Sequence, residues 1–399
     1  MGERRRSAPG GQAPDPARAL DLLLSPGGRE LLGALGDRDR VEAGAEIGLG
    51  ERLRARYPAA LARAALAQHN LRVRARAKFA HAERMYFTRD GLQQASSEQV
   101  ARHRAARYAG FERVADLCAG IGGDLLALAA GRAALAVDLD EVHLRMAVEN
   151  ARAGGAGEVA AACADVRGLR LDALPPVFID PARRHGGRRM PSGASEPPLA
   201  WCLGLADHVA EVGVKTAPGL PLELVPQGWE VEMVADRREL KEAVLWSPAL
   251  ATAARRATVL PGGDTLVAAP GPAVPCARPG AFLLDPSPAV TRAGAVEELA
   301  RRLDAWKIDR QVAFLSADHA LATPFGRTLA VEESLPWNLK RLRALLRARR
   351  VGAVEIRKRG SAVDVEDLRR RLDLRGDGQV TIVLTRVLDR PWTLLCRQP

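Results

Sequence analysis

Two carboxylates and a glycine-rich turn lie within one short stretch of the chain. Asp116 comes at the end of a β-prone run, and Gly120 and Gly122 follow it closely. A helix predicted to begin near Asp124 leads into a second apolar run, which ends on Asp138. Glycines allow a ligand to approach the backbone closely, and carboxylates accept hydrogen bonds from hydroxyl and ammonium groups. The stretch therefore predicts one nucleotide-binding half of a doubly wound sheet.

The spacing of the glycines distinguishes between two kinds of nucleotide site. A dinucleotide site requires G-x-G-x-x-G, and counting from Gly120 and Gly122 places the third glycine position on Leu125. The pattern D-x-x-x-G-x-G from Asp116, with Asp138 closing the next strand, instead resembles motifs I and II of the class I S-adenosylmethionine (SAM) methyltransferases. The resemblance implies SAM as the cofactor and places Asp138 at the ribose hydroxyls. An ordinary βα turn beside a solvated aspartate is the alternative for this motif taken alone.

Further cofactor positions follow from the same resemblance. Asp165, at the end of the predicted strand VAAACADV, matches the motif III position that contacts the adenine amino group. An aspartate in a simple turn is the alternative interpretation of that residue. The neighbours of the motif positions are assigned to the cofactor site with them: Cys118, Ala119, Leu139 and Val166.

A second motif follows a predicted buried strand, Val177 to Ile179. Asp180 and Pro181 come directly after it, at the carboxyl edge where open α/β sheets bind ligands. Asp-Pro at this position resembles motif IV of methyltransferases that act on bases, and it makes Asp180 and Pro181 the candidate catalytic residues. That motif commonly continues with a second proline and an aromatic residue, whereas Ala182 and two arginines follow here. The missing aromatic removes the usual stacking platform for a flipped base.

Basic residues near these motifs are candidates for substrate binding. The segment RRHGGRRMPSGASEPP starts at Arg183 and Arg184, directly after Asp180-Pro181, and is expected to form a mobile basic loop. Lys78 lies in a segment with Phe79 and Tyr86 that precedes the glycine stretch, and we assign it as a possible pocket residue. A plain surface loop and a packed helix pair are the respective alternatives.

The charge of the chain is uneven. Of 399 residues, 47% are hydrophobic and 27% charged, as is typical of a globular protein. The formal net charge is +11, and Lys+Arg against Asp+Glu number 13 and 4 in residues 51–110, 16 and 21 in 111–270, and 23 and 15 in 271–399. Basic flanks around an acidic centre favour a polyanionic substrate. A GC-rich genome would also produce an arginine-rich, lysine-poor composition.

Several classes of protein are excluded by what the sequence lacks. No apolar run approaches the roughly 20 residues of a membrane span, and the N-terminus has no signal-peptide core. The five cysteines are scattered and form no C-x-x-C pair, so free thiols and no structural zinc or other metal are expected. We expect a cytoplasmic protein that does not bind membranes.

The elements around the motifs predict an α/β protein with several domains. Residues 1–16 are expected to be a disordered lead, and residues 17–109 a helical N-terminal domain. A Rossmann-like methyltransferase sheet of about seven strands is predicted for residues 110–270. A Pro/Gly-rich linker then separates a ferredoxin-like segment, residues 281–326, and a small α+β domain, residues 327–399.

The last domain carries a second resemblance. Its predicted order is helix (NLKRLRALLRARR), strand, helix (VDVEDLRRRLD) and two strands. This order, with such basic elements, resembles the THUMP-like C-terminal domain of a family of bacterial class I methyltransferases. THUMP domains proper bind RNA, so the resemblance implies RNA, either tRNA or rRNA, as the partner.

The predicted function is thus a SAM-dependent methyl transfer to a base in structured RNA. SAM supplies the reactive methyl group, and the protein must orient the acceptor and, where needed, remove its proton. Two other classes stay open. One is a methyltransferase of the same fold that acts on a protein or a small molecule, and the other is a non-catalytic protein that binds SAM and RNA.

Overall fold

The computed structural model describes residues 15–36, 45–182, 184–185, 188–189 and 195–398. Almost all of the predicted disordered lead, residues 1–16, lies outside these ranges, as does Arg183. The helices within them are α1 Pro16–Leu24, α2 Pro26–Gly36, α3 Ala45–Arg56, α4 Ala59–Ala75, α5 Arg89–Gln94, α6 Glu98–Ala105, α7 Leu125–Leu128, α8 Glu141–Ala153, α9 Leu199–Gly204, α10 Pro288–Ala293, α11 Val296–Arg302, α12 Leu339–Ala348 and α13 Val365–Arg371.

Strands make up two large sheets and one small hairpin. The strands are β1 Arg113–Leu117, β2 Ala133–Asp138, β3 Val159–Cys163, β4 Val177–Ile179, β5 Arg184–His185, β6 Arg188–Arg189, β7 Val212–Thr216, β8 Glu230–Asp236, β9 Glu239–Trp246, β10 Arg255–Leu260, β11 Asp264–Val267, β12 Phe282–Pro286, β13 Trp306–Lys307, β14 Leu315–Ala317, β15 Gly326–Pro336, β16 Val351–Lys358, β17 Gly378–Val387 and β18 Arg390–Arg397. By density of contacts the chain divides into two units, up to residue 212 and from residue 213 onward.

The first unit contains four parallel strands in the order β4-β1-β2-β3. Four of the five residues of β1 and every residue of β4 are buried. Helix α8 crosses from β2 to β3. It begins at Asp140, whose side chain accepts a hydrogen bond from the His143 N–H, and it ends at Gly154. The carboxyl ends of these four strands therefore lie at one edge of the sheet, together with the glycine loop and Asp138.

The helices of the N-terminal region share an apolar cluster with the glycine loop and helix α8. Apolar side chains of α1, α2 and α4 pack in one cluster that also contains Ile121 of the glycine loop and Met146 of α8. Helix α5 and the residues before it belong to the same cluster. The described helices α1 to α6 thus lie in the region predicted to be helical, and apolar side chains of this region pack against Ile121 and Met146.

The second unit contains five strands of the predicted Rossmann-like region, in the order β7-β9-β8-β10-β11. Strand β9 is antiparallel to both β7 and β8, so the sheet is mixed. The four strands of the first unit and these five make nine rather than about seven, because residues 255–267 form the hairpin β10–β11, which turns at Gly263 with φ 75°.

The second sheet has seven strands, in the order β13-β14-β12-β15-β18-β17-β16. Its long central strand, β15, pairs with β12 on one side and β18 on the other. The predicted segments 281–326 and 327–399 therefore contribute strands to one sheet. Helices α12 and α13 cover one face, where Leu342, Leu346 and Leu368 are buried in a common cluster.

Candidate active site

The glycine loop after β1 has an unusual backbone. Cys118, Gly120 and Gly122 have φ angles of 61°, 53° and 82°, the left-handed region that non-glycine residues rarely adopt. A Cβ on Gly122 would lie 2.8 Å from the Ala147 Cα, so only glycine allows helix α8 to pack this close. A Cβ on Gly120 would meet no atom within 4 Å, which leaves open space beside its backbone. The loop can therefore receive a ligand at Gly120.

Asp138 fixes this loop from the next strand. Its Oδ2 accepts a hydrogen bond from the Gly120 N–H at 2.7 Å, and its Oδ1 accepts one from the Asp140 N–H at 2.9 Å. A carboxylate has about four acceptor positions, so further positions stay available for hydroxyl groups. Leu139 follows directly and is 65% exposed, the largest value among the exposed large hydrophobic side chains of the described residues. A carboxylate beside an exposed apolar side chain suits a ribose that carries a flat base.

Asp116 lies beneath the loop and is only 1% exposed. Neither of its carboxylate oxygens has a hydrogen-bond partner within the described ranges. Burial raises its pKa well above the ordinary value, and the nearby carboxylates of Asp124 and Asp180 raise it further, while Arg104 opposes them. A buried carboxyl among other acids is a natural partner for a cationic group such as an ammonium.

A buried ion pair that the sequence did not reveal lies beside Asp116. The Arg104 guanidinium of α6 pairs with Asp124, which also accepts a hydrogen bond from the Ser96 hydroxyl at 3.2 Å. The Arg104 Cζ lies 5.0 Å from the ring centre of Phe178 in β4. One arginine thus joins the end of the glycine loop to the strand before Asp180. In the sequence, Arg104 is one of several arginines of one helical segment, and nothing marks it as buried.

Asp180 and Pro181 come directly after β4, as predicted. The Asp180 N–H donates to the Leu117 carbonyl at 3.2 Å, which brings the two motifs to the same edge. Pro181 is buried and has no N–H. Ala182 then pairs with Glu196 through two backbone hydrogen bonds of 2.8 and 2.9 Å, which close the base of the basic loop. Within that loop, Arg184 lies on β5, which pairs with β6.

Asp165, which is expected to contact the adenine amino group, is hydrogen-bonded to Arg167. Its carboxylate accepts a hydrogen bond from the Arg167 N–H at 3.0 Å and pairs with the Arg167 guanidinium at 2.6 Å. These hydrogen bonds lower its pKa. Arg167 also pairs with Glu196 at 2.8 Å, so this arginine connects the motif III loop to the base of the basic loop. Val166 is buried at the start of the short helical turn that follows Asp165.

The geometry of Lys78 favours a structural role over the predicted substrate-binding one. Its ammonium group donates to the carbonyl oxygens of Leu92, Gln93 and Ala95 at 2.8, 3.3 and 2.7 Å. These carbonyls belong to the last turn of α5 and the residue after it, where a cation stabilises the helix dipole. An ammonium has three hydrogens, and all of them are used here.

Metal sites and membrane spans are features that the sequence does not predict. In the described part of the chain, no group of His, Cys, Asp or Glu side chains is arranged to hold a metal ion. The same residues include no helix with the length and hydropathy needed to cross a membrane. All five cysteines are unpaired, and burial raises the pKa of the Cys202 and Cys396 thiols to about 12.

The glycine loop between parallel strands, with aspartates at the strand ends, defines a nucleotide-cofactor site of the Rossmann-like class. Comparison with known proteins agrees. Two curated relatives, uncharacterised S-adenosylmethionine-dependent methyltransferases of Mycobacterium tuberculosis strains CDC 1551 / Oshkosh and ATCC 25618 / H37Rv, are each 40% identical over 317 residues. The matches cover 75% of this chain and 84% of each relative. The chain therefore belongs to the S-adenosylmethionine-dependent methyltransferases, and its cofactor is SAM.

Family models and a solved structure support the same architecture. A model described as THUMP domain-like matches residues 326–398, and a model for a domain of unknown function matches residues 16–75. The crystal structure of a protein from Porphyromonas gingivalis W83, assigned to the methyltransferases, aligns with a TM-score of 0.74 at 20% identity. The alignment covers 93% of this chain and 98% of that one, which shows a shared fold. The predicted methyltransferase with a C-terminal THUMP-like domain is thus confirmed.

Proposed function

We propose that this methyltransferase modifies a base in structured RNA. SAM supplies an electrophilic methyl group, so the protein has to hold the cofactor, orient the acceptor and exclude competing nucleophiles. The residues of the strand edge suit the first task, Asp180 suits the second, and the basic elements of the C-terminal domain suit an RNA partner.

Contacts at the carboxyl edge of the strands support the cofactor assignments that we propose. Asp138 retains acceptor positions for the ribose hydroxyls, and Leu139 offers an apolar surface to the adenine. Asp116, buried and without a hydrogen-bond partner in the described residues, is assigned to the methionyl ammonium. Asp165 can contact the adenine only if its bonds to Arg167 change, so we assign Val166 and the loop residues Cys118 and Ala119 to the pocket wall.

Asp180 is the proposed acceptor-positioning group. It is half-buried at the same edge as the glycine loop and close enough to Asp116 to raise the pKa of that carboxyl. A carboxylate here can accept a proton from an exocyclic amine or orient it by a hydrogen bond. Pro181 fixes the direction in which the chain leaves the strand. Arg183 and Arg184 follow directly, and we assign them to the acceptor strand of the RNA.

The observation that carries the RNA assignment is the charge of helix α12. Residues 338–350 contain six cations and no acid. Leu342 and Leu346 bury one face of the helix, which leaves its other face to the charged residues. Lys340, Arg341 and Arg343 are exposed and have no ion pair among the described residues. Unpaired cations on one helix face are suited to neutralising phosphates, and this helix lies in the domain that matches the THUMP-like family.

The direct test is mass spectrometry of RNA nucleosides from a deletion strain and its parent. We expect one methylated nucleoside to be missing in the deletion strain and restored by the wild-type gene, but not by the Asp180→Asn gene. An identical set of nucleosides in both strains would contradict RNA as the acceptor. A methyl group missing from a protein or a small molecule instead would identify the other class of substrate. Restoration by Asp180→Asn would refute a proton-accepting role for Asp180.

A further inference from the structure

Four residues that precede α5 form an extended segment over the cofactor motifs. We call this segment, Met85 to Thr88, the linking segment. Its first and last residues have φ/ψ angles of −91°/163° and −92°/162°, which are typical of a β-strand. It belongs to neither sheet. Its first three residues are buried, so its backbone polar groups need partners other than water.

Helix α4 supplies partners for the odd-numbered residues of the linking segment. The Arg72 Nε donates to the Met85 carbonyl at 2.8 Å. The side-chain amide of Gln68 bonds the backbone of Phe87. Positions 68 and 72 are one helical turn apart, so both side chains lie on the same face of α4.

Helix α8 supplies partners for the even-numbered residues. The Asn150 Oδ1 accepts from the Tyr86 N–H at 2.6 Å, and its Nδ2 donates to the Tyr86 carbonyl at 2.9 Å. Two turns earlier on that helix, the His143 Nε2 lies 2.9 Å from the Thr88 hydroxyl oxygen. The alternation matches the period of two of an extended chain. The segment is therefore held between two helices by polar side chains in place of neighbouring strands.

Asn150 makes one contact more, and it connects this segment to the cofactor loop. Its Nδ2 also donates to the Ile121 carbonyl at 2.8 Å, and the whole residue is 0% exposed. Ile121 lies between Gly120, which Asp138 holds, and Gly122, which packs on Ala147 of α8. All polar atoms of the Asn150 side chain are thus used to fix two backbones that are 35 positions apart in the sequence.

We propose that Asn150 is a positioning residue for SAM, and that it makes the linking segment part of the cofactor-binding structure. Without its amide, three backbone groups would be buried without these partners: the Ile121 carbonyl, the Tyr86 N–H and the Tyr86 carbonyl. The glycine loop could then relax away from the conformation in which the Gly120 backbone borders open space. The proposal depends on the cofactor alone and not on the identity of the methyl acceptor.

Binding of SAM to purified full-length variants, measured by calorimetry, tests this proposal. Asn150→Ala is expected to raise the Kd for SAM about tenfold, the effect of 1.4 kcal/mol. The matched control is Leu144→Ala, which shortens a buried apolar side chain of the same helix that donates and accepts no hydrogen bond. It is expected to lower the melting temperature while leaving the Kd for SAM unchanged. Thermal unfolding of each variant separates loss of stability from loss of affinity.

A second variant tests the same unit without altering α8. A Cβ on Gly91 of α5 would lie 2.5 Å from the Ile121 Cγ2 and 2.7 Å from the Thr88 Oγ1. Gly91→Ala should therefore displace the loop residue and also raise the Kd for SAM about tenfold, as Asn150→Ala does. If Asn150→Ala does not fold, the Kd of Gly91→Ala for SAM tests the proposal on its own. SAM affinity equal to wild type in the folded variants, or a loss as large in Leu144→Ala, would overturn the proposal.

Discussion

The buried carboxyl of Asp116 should destabilise the protein without cofactor and strengthen its binding of SAM. The residue is 1% exposed, has no hydrogen-bond partner in the described ranges, and lies near the carboxylates of Asp124 and Asp180. Asp116→Asn keeps the size of the side chain and removes its charge. We therefore expect opposite effects of this substitution on stability and on affinity.

The sign of the pH dependence follows from the raised pKa of Asp116. Above the ordinary carboxyl value of 3.8, the unfolded chain loses this proton before the folded protein does. The free energy of unfolding therefore falls as the pH rises from that value through the raised pKa. Asp116→Asn removes this loss, so its advantage over wild type should be largest at alkaline pH and should disappear toward pH 3.8.

The size of both effects can be worked out from the contacts. An unsatisfied buried polar group costs about 1–3 kcal/mol and a charged one more, so the neutral amide, which removes only the charge, should recover about 1–2 kcal/mol. For a unit of roughly 200 residues, this raises the melting temperature by about 2–8 °C. Loss of a charge-assisted hydrogen bond to the SAM ammonium costs about 1.5–3 kcal/mol, which weakens binding by about 10- to 150-fold.

Thermal unfolding from pH 5 to pH 9, with and without SAM, together with calorimetry of SAM binding, measures both effects. Asp207→Asn is the control, because this aspartate of the same unit is exposed and has no ion pair among the described residues. Asp207→Asn should change neither the melting temperature nor the affinity for SAM. A less stable Asp116→Asn protein at alkaline pH, or unchanged SAM affinity, would show that Asp116 is a structural residue rather than the ammonium partner.

Three other variants test separate parts of the site and the RNA surface. Asp138→Ala should weaken SAM binding at least tenfold, roughly the value of a lost charge-assisted hydrogen bond, and unchanged affinity in calorimetry would remove the ribose assignment. Asp180→Asn should lower turnover by roughly 10²- to 10⁴-fold with little change in SAM affinity, whereas parallel loss of both would make Asp180 a cofactor residue. Reversing Lys340, Arg341 and Arg343 to Glu should weaken RNA binding and reduce the slope of log K against log salt by about 3. A slope equal to that of wild type in filter binding would place the phosphates elsewhere.

The cofactor motifs could be predicted because their chemistry is local. The strand β4 was predicted with its observed bounds, and the glycine loop follows β1 as the spacing required. The helix predicted to begin near Asp124 is α7, which has four residues and is followed by Gly131 with φ 72°. The order of elements from α12 to β18 also agrees with its sequence pattern.

What the sequence did not reveal depends on partners far away in the chain. Strand β15 was missed because its alternation breaks at a bulge between Val331 and Glu333, and its pairing with β12 and β18 determines its conformation. The predicted pocket lysine, Lys78, proved to bond the end of α5, which no local pattern shows. Arg104 and Asn150 are polar residues within ordinary helices. Their burial appears only when α6 and α8 pack on the glycine loop.

Methyl transfer from radiolabelled SAM tests the central claim most directly. The purified protein is incubated with the labelled cofactor and with total RNA or total protein from a strain that lacks the gene, and the products are digested with ribonuclease or with protease. We predict that label enters the RNA, that ribonuclease releases it, and that Asp138→Ala and Asp180→Asn transfer far less. Label that enters only the protein fraction and is released by protease would contradict an RNA substrate, and no transfer to either fraction would contradict an enzyme that acts on macromolecules.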